Sequence, residues 1–264
     1  MLVDDFANVY KLFALEKLTA ALQAEGLVAM LIHIGQNFDH AHAFLNADQR
    51  QVDAVVLLGT GFRDETLRAA IKPGSPPLYV LARESTIEGI PSVACDAALS
   101  MRAIVDHLAA RGYRRPAFMS GPKAVSTALG RQQYFAEYWK ALGVPEVPEL
   151  PAGAYDFHAA ETCLRRYFAE TPAEARMDVL MCENDVLALG AMDLAQRESG
   201  LRVPQDLAIA GYDGNDLTGM STFNLTTYEQ PMEAMVEALV DMLQGRRERR
   251  SLTLPGRLIV RAST

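Results

Sequence analysis

The sequence predicts an α/β protein built from doubly wound parallel sheets. Short apolar runs bounded by turn residues alternate with longer runs of helical periodicity along the 264 residues. The runs at 179–181 and 207–212 contain no regularly spaced polar residues, which is typical of parallel strands buried on both faces. The length allows two halves of roughly 130 residues, an ordinary domain size.

The individual elements follow from these patterns. In the first part of the chain we expect strand 2–3, helix 5–26, strand 27–34, helix 44–51, strand 53–58, helix 65–71, and strands 77–81 and 93–95. In the second part we expect helix 97–111, strand 115–119, helices near 127–142 and 158–170, strand 179–181, helix 185–199 and strand 207–212. Gly112 and Gly200 supply helix stops, and the alternation implies right-handed crossovers between parallel strands. The proline-containing stretches 73–77 and 145–151 are predicted to be ordinary loops.

Composition narrows the class of protein. The net charge of −8 argues against nucleic-acid binding by this chain alone, and the basic run 246–250 is interpreted as a solvated helix end. The three cysteines are far apart and form no C-x-x-C pair, which favours a reducing cytoplasm over a disulfide framework or a zinc site. A signal peptide and a long apolar span are both missing from the pattern, so neither secretion nor membrane insertion is expected.

Polar residues follow two of the predicted strands. Asp213 ends the run 207–212, and Asn184 follows the run 179–181, so both are expected at the sheet edge where open α/β sheets bind ligands. Asp213 has two uses, as an acceptor for ligand hydroxyls or amines or as part of a local Asx-turn. Asn184 offers a donor and an acceptor, while Asp185 is predicted to be the helix N-cap.

Arg131 is predicted near the start of a helix. A guanidinium there opposes the helix dipole, which favours a ligand or carboxylate partner over a purely solvating role on the surface.

Catalytic and cofactor motifs are missing from the sequence pattern. Asp39, His40 and His42 form the one His/Asp cluster, and their spacing does not guarantee the converging ligands that a metal needs. The sequence Gly59-Thr60-Gly61 lacks the third glycine of a dinucleotide loop, and neither a P-loop nor a G-x-S-x-G elbow occurs. We therefore expect no enzyme activity, no metal and no cofactor.

Several motifs together carry a family resemblance. They are the segment 182–231, Gly121-Pro122 with Arg131 ten residues later, Gly112-Tyr113-Arg114-Arg115, Val52-Asp53-Ala54, and the ending Arg261-Ala262-Ser263-Thr264. Over essentially the whole chain these resemble the effector domain of LacI/GalR-type transcriptional regulators, a periplasmic-binding-protein-like class I fold. The resemblance implies two similar lobes with three chain crossings, divided into 1–113 plus 231–251 and 114–230 plus 252–264. It also implies that a helix at 232–243 returns to the first lobe and that a strand at 258–261 ends in the second.

The resemblance also implies a set of effector contacts. In the second lobe these are Arg131, Asp213, Asn184, Thr127 and Gln230. Tyr155 matches an aromatic position that covers the apolar face of the ligand, although a half-buried core tyrosine remains an alternative. In the first lobe, Asp5, Phe6 and Tyr10 match the loop and helix start that line the cleft.

The implied function is effector sensing. The ligand is a small polar metabolite bound between the lobes, with a sugar or sugar acid favoured and a nucleobase left open. A homodimer or higher homo-oligomer is expected, with operator DNA bound only through a helix-turn-helix head that this chain lacks. The alternatives are a solute-binding protein of a sugar uptake system, which would need an export signal, and an enzyme on the same architecture, which the motifs disfavour.

Overall fold

The structure is a computed structural model that describes residues 1–3, 9–34, 52–59, 67–69, 71–123 and 129–264. The chain folds into two compact units. Unit 1 is Met1–Cys95 with Pro231–Leu254, and unit 2 is Asp96–Gln230 with Pro255–Thr264. The lobe divisions at 113, 230 and 251 that the resemblance implies stay predictions. Helix Ala97–Ala110 packs against helix Arg131–Ala141 of unit 2, and strand Leu252–Leu254 joins the sheet of unit 1.

Six helices are described with defined bounds: α1 Val9–Ala24, α2 Ala97–Ala110, α3 Arg131–Ala141, α4 Phe157–Glu170, α5 Asp185–Asp193 and α6 Met232–Leu243. A π-helical turn at Leu194–Glu198 continues α5, which therefore ends earlier than the predicted helix 185–199. Within the described ranges, no helix is long and apolar enough to cross a membrane.

Unit 1 contains a six-stranded sheet in the order β11-β5-β4-β3-β1-β2. Its strands are β1 Leu2–Val3, β2 Ile32–His33, β3 Val55–Leu58, β4 Leu78–Leu81, β5 Ser92–Cys95 and β11 Leu252–Leu254, and all its pairs are parallel. The predicted strand 27–34 is wrong except at β2, because residues 27–31 form irregular backbone. The predicted helix 44–51 lies outside the described residues.

Unit 2 contains a second six-stranded sheet in the order β12-β10-β9-β8-β6-β7. Its strands are β6 Pro116–Ser120, β7 Glu149–Pro151, β8 Val179–Cys182, β9 Ala208–Asp213, β10 Thr226–Glu229 and β12 Arg257–Ile259. Only β12 runs antiparallel to its neighbour among these described strands. Strand β7 lies in a stretch that was predicted to be loop, since its prolines and short length hid the edge strand. The α/β class with two parallel-dominated sheets is confirmed.

The core of unit 2 holds in place the helices whose ends bring polar residues to the edge of the sheet. Leu180, Leu187 and Ile209 are completely buried, and burying each such side chain contributes about 1.5–3 kcal/mol. Gly190 lets α5 approach α4 closely, because a Cβ there would lie 2.4 Å from the carbonyl oxygen of Phe157. The start of α5 is thereby held against the end of β8.

The chain's last residues tie the strands of unit 2 together. The Ser263 hydroxyl accepts from the Thr226 amide at 2.8 Å and donates to the Ile209 carbonyl at 2.6 Å. The Thr264 hydroxyl lies 2.8 Å from that of Thr226 and 2.8 Å from Nε2 of His107 on α2. The ending Arg261-Ala262-Ser263-Thr264 is therefore structural, bridging β9, β10 and α2.

Candidate ligand-binding site

Polar groups collect at the carboxyl edge of the unit 2 sheet. Gly121 follows β6, Glu183 and Asn184 follow β8, Asp213 ends β9, and Gln230 follows β10. These four strands are consecutive neighbours in the sheet. The sequence thus places these polar groups side by side, at the edge where open α/β sheets bind ligands.

Asn184 is the N-cap of α5. Its Oδ1 accepts from the Leu187 amide at 3.0 Å, so the prediction that Asp185 is the cap is wrong. The Asn184 side chain is 2% exposed, and its Nδ2 has no hydrogen-bond partner among the described residues. A buried amide donor is therefore available at the sheet edge.

Asp185 fixes the loop after β9 instead. Its Oδ2 accepts from the amides of Gly214 at 2.8 Å and Asn215 at 3.0 Å, and its Oδ1 accepts from the Thr227 hydroxyl at 2.6 Å. Gly211 leaves room for this carboxyl group, because a Cβ there would lie 2.3 Å from Oδ1. Burial, and then the charge of Asp213, raise the pKa of Asp185 well above its ordinary value. Asp185 thus positions the loop after β9 at the carboxyl edge of the sheet.

Asp213 has an unusual backbone conformation, with φ at +122°. Such a conformation in a residue other than glycine costs on the order of 1–3 kcal/mol and persists only where the surroundings impose it. Here Asp185 holds the two amides that follow, and Asp213 Oδ1 accepts from Nε2 of Gln230 at 2.7 Å. Gln230 is also buried, and its Oε1 has no partner in the described part of the chain. The carboxyl edge therefore presents the Gln230 Oε1 acceptor as well as the Asn184 Nδ2 donor.

Arg131 begins α3, as predicted, and is 6% exposed. Its guanidinium donates to the Glu183 carbonyl at 2.8 Å, and its Cζ lies 3.6 Å from the centre of the Tyr212 ring. Burial acts to lower the pKa of Arg131, but neighbouring groups, Asp213 and Glu183 among them, outweigh it and raise that pKa. The guanidinium is fixed, charged and surrounded by acidic groups.

Glu183 is a site residue that the sequence reasoning missed. Its buried Oε2 accepts from the Gly121 amide at 2.8 Å and from the Tyr155 hydroxyl at 2.8 Å. The Tyr155 ring lies so close to Gly121 that a Cβ there would be 2.2 Å from it. Burial, and then the Glu183 charge, raise the pKa of Tyr155. The one available signal was an acidic residue directly after a buried strand.

The remaining predicted contacts stay predictions. Thr127, Asp5 and Phe6 lie outside the described residues. Tyr10 is buried on α1 of unit 1, and its ligand role stays a prediction. The cluster Asp39, His40 and His42 also lies outside the described residues, and within them no group of three or more His, Cys, Asp or Glu side chains is placed to hold a metal ion.

Two α/β units, with buried polar side chains converging at a strand-end edge, define a protein of the small-molecule-binding class. Comparison with known families agrees. Residues 105–264 match the family described as periplasmic binding protein-like domain. The chain belongs to this family, in the form carried by LacI-type transcriptional regulators.

Individual relatives support the assignment. The chain is similar to the HTH-type transcriptional repressor CytR of Escherichia coli, with 31% identity over 226 residues, covering 81% of this chain and 63% of that protein. The aligned stretch thus spans less than two thirds of this relative. The ribose operon repressor of Halalkalibacterium halodurans is 29% identical over 271 residues, covering 100% of this chain and 78% of that protein. The crystal structure of a LacI transcriptional regulator from a Rhodococcus species has a TM-score of 0.87 and 26% identity, covering 100% of this chain and 97% of that one.

Proposed function

We propose that the carboxyl edge of the unit 2 sheet binds a small neutral polyhydroxy molecule, a sugar, as an effector. The observation that most directly supports this proposal is a pair of buried groups without hydrogen-bond partners among the described residues. They are the Asn184 Nδ2 donor and the Gln230 Oε1 acceptor. Leaving such a group unsatisfied costs about 1–3 kcal/mol. A ligand hydroxyl donates and accepts at once, so sugar hydroxyls would satisfy both groups.

Charge supports a neutral ligand over a sugar acid. Arg131 already donates to Glu183 and lies in the field of Asp213 and Glu183. An anionic ligand would add a further negative charge to a buried edge where the described part of the chain places one guanidinium, and burying an unbalanced charge is costly. Asp213 would accept from ligand hydroxyls, and the Tyr155 ring would cover an apolar sugar face.

We further propose that this sensing serves transcriptional repression. The two named relatives are repressors and not enzymes, and one is named for the ribose operon. In this proposal the chain does no chemistry and works in the cytoplasm as a homodimer or higher homo-oligomer. Operator DNA would be bound through a helix-turn-helix segment carried by the same protein. The effector would act through its different affinity for two conformational states.

The test is isothermal titration with neutral sugars, sugar acids and nucleobases, on the wild type and two variants. Asn184→Ser keeps an N-capping side chain and removes the Nδ2 donor, so we expect the unliganded melting temperature to change little. Affinity for the effector should fall about tenfold or more, the equivalent of losing one hydrogen bond to a buried group. Asp213→Asn should weaken binding similarly.

The matched control is Asp206→Asn, which also replaces a carboxylate with an amide. Asp206 lies just before the start of β9, whereas Asp213 ends it, and Asp206 forms an exposed ion pair with Arg202. This control should leave affinity unchanged. Equal affinity in all variants would reject this edge as the binding site. A sugar acid bound more tightly than every neutral sugar would reject the charge argument and keep the site.

A further inference from the structure

Two tyrosine rings lie in a row beside the guanidinium of Arg131 in unit 2. The Arg131 Cζ is 3.6 Å from the centre of the Tyr212 ring. The Tyr212 ring is in turn stacked on that of Tyr228, with ring centres 5.6 Å apart and an angle of 18° between the planes. All three side chains are buried. We call this arrangement of one guanidinium and two rings the Arg131 stack.

The register of the unit 2 sheet builds the ring pair. Tyr212 on β9 and Tyr228 on β10 are partners across two parallel strands, so their side chains lie on the same face of the sheet. Gly256, just before β12, leaves room for the outer ring, because a Cβ there would lie 2.7 Å from Cε1 of Tyr228. Backbone pairing therefore fixes where the two rings meet Arg131.

An aromatic ring holds a guanidinium without occupying its hydrogen-bond donors. A guanidinium has five N–H groups, and the bond that Arg131 makes within the described residues is the one to the Glu183 carbonyl at 2.8 Å. A bidentate carboxylate would take two of these donors, whereas a ring stacks against the flat face of the group, where no N–H points. The stack thus leaves the other N–H groups of Arg131 for a ligand at the carboxyl edge.

Arg131 needs such support because its place on the helix is unfavourable. A cation at the first residue of α3 opposes the helix dipole. Burial has also removed most of the water from the guanidinium, and the attraction between a cation and a ring is greatest for a desolvated cation. The two rings therefore offset part of the cost of keeping a charged guanidinium at this edge.

We propose that Tyr212 and Tyr228 are positioning residues of the effector site, whose rings hold the Arg131 guanidinium so that its other N–H groups donate to hydroxyl groups of a neutral sugar. This inference rests on the proposed effector function of the carboxyl edge. Tyr212 acts on Arg131 directly, and Tyr228 supports the Tyr212 ring from its other side. Both rings act through Arg131 and need no contact with the sugar.

The first measurement is made on the full chain without a sugar. A proton held over the face of an aromatic ring resonates upfield, and the NMR signal of the Arg131 Nε–H group can be assigned by its loss in Arg131→Gln. We expect this signal to lie upfield in the wild type and in Tyr212→Phe, which keeps the ring, and to move downfield in Tyr212→Leu. Should Tyr212→Leu fail to fold, Tyr212→Met fills the space with a flexible side chain that has no ring. A signal that stays in place when the ring is removed would overturn the proposal.

The second measurement is isothermal titration with the neutral sugar that binds the wild type most tightly, arranged as a double-mutant cycle. Tyr212→Leu should weaken binding about five- to tenfold, as expected for the loss of a desolvated cation–ring contact, and Tyr212→Phe should keep it. In the Arg131→Gln background, Tyr212→Leu should weaken binding no further. The control Phe135→Leu removes a buried ring from α3 that packs against Phe118, with ring centres 5.5 Å apart. It should lower the melting temperature and keep the affinity.

The outcomes separate this inference from the proposed function. If Tyr212→Leu weakens binding equally with and without Arg131, the ring acts through packing alone and the inference is wrong. If Arg131→Gln loses affinity while Tyr212→Leu keeps it, the inference is again wrong, but the effector site stands. If no neutral sugar binds the wild type, the proposed function fails and this inference fails with it, even where the NMR signal shows that the stack exists.

Discussion

Removing the Asp185 carboxyl group should destabilise unit 2 far more than replacing it with an amide. In Asp185→Ala the amides of Gly214 and Asn215 lose their acceptor, and the Thr227 hydroxyl loses a buried one. An orphaned buried donor costs about 1–3 kcal/mol, so the three together cost about 3–5 kcal/mol after partial rehydration of the loop. This is a large share of the typical stability of about 5–15 kcal/mol.

Asp185→Asn tests the same geometry with the shape kept. The single amide oxygen can face the amides of Gly214 and Asn215, while its NH2 group donates to the Thr227 hydroxyl, which then acts as an acceptor. The cost should be about 1 kcal/mol. Adding Thr227→Val to Asp185→Asn removes that acceptor. The double variant should therefore lose nearly as much stability as Asp185→Ala.

Urea unfolding followed by circular dichroism measures these differences, with an unchanged m-value showing that the unfolded states are comparable. The alanine variant should also bind the effector weakly, because the loop that carries Asp213 is released. If Asp185→Ala lies within about 1 kcal/mol of the wild type, or if Asp185→Asn is as damaging as the alanine variant, the positioning role is refuted, since that threshold is the net worth of one hydrogen bond.

Three further predictions concern the same edge. The raised pKa of Asp185 means that the folded protein holds the Asp185 proton more tightly than the unfolded chain does. The contribution of Asp185 to the free energy of unfolding is therefore greatest below about pH 4, and it declines as the pH rises through the folded pKa. The unfolding free energy of wild type relative to Asp185→Asn should therefore fall with rising pH in urea titrations; a flat difference would contradict the pKa shift. Gly211→Ala places a Cβ 2.3 Å from Asp185 Oδ1 and should lower stability by about 1–3 kcal/mol, and calorimetry showing a wild-type melting temperature would exclude this steric conflict. Tyr155→Phe removes the donor to Glu183 and should cost about 1–2 kcal/mol in denaturant unfolding while effector affinity measured by titration is kept, whereas Tyr155→Ala should lose affinity too. Equal affinity for the phenylalanine and alanine variants would show that the ring does not cover the ligand.

Much of the fold could be predicted because its signals are local. Apolar runs without alternating polar residues predicted β8 and β9, and helical periodicity with a glycine stop predicted α2. The predictions failed where local signals are weak. Strand β7 is short and proline-flanked, and the stretch 27–31 is apolar without being a strand, since apolar composition alone does not provide a pairing partner.

The neighbouring residues Asn184 and Asp185 show why the site was only partly predictable. Both residue types are good N-caps, so the sequence could not decide between them. The structure decides through Gly214 and Asn215, 29 and 30 residues away, whose amides need the Asp185 carboxylate. Asn184 is left to cap α5 and to present its Nδ2 donor.

By itself, the sequence determined the α/β class, the order of most elements, and the placement of Asn184 and Asp213 at the ends of strand-like runs, because periodicity and strand ends are properties of neighbouring residues. Tertiary structure alone decided the unit boundaries, the role of Glu183 under Tyr155, and the balance of charge around Arg131. These depend on which groups meet across the sheet, where hydrogen bonds and charges join residues far apart in the chain.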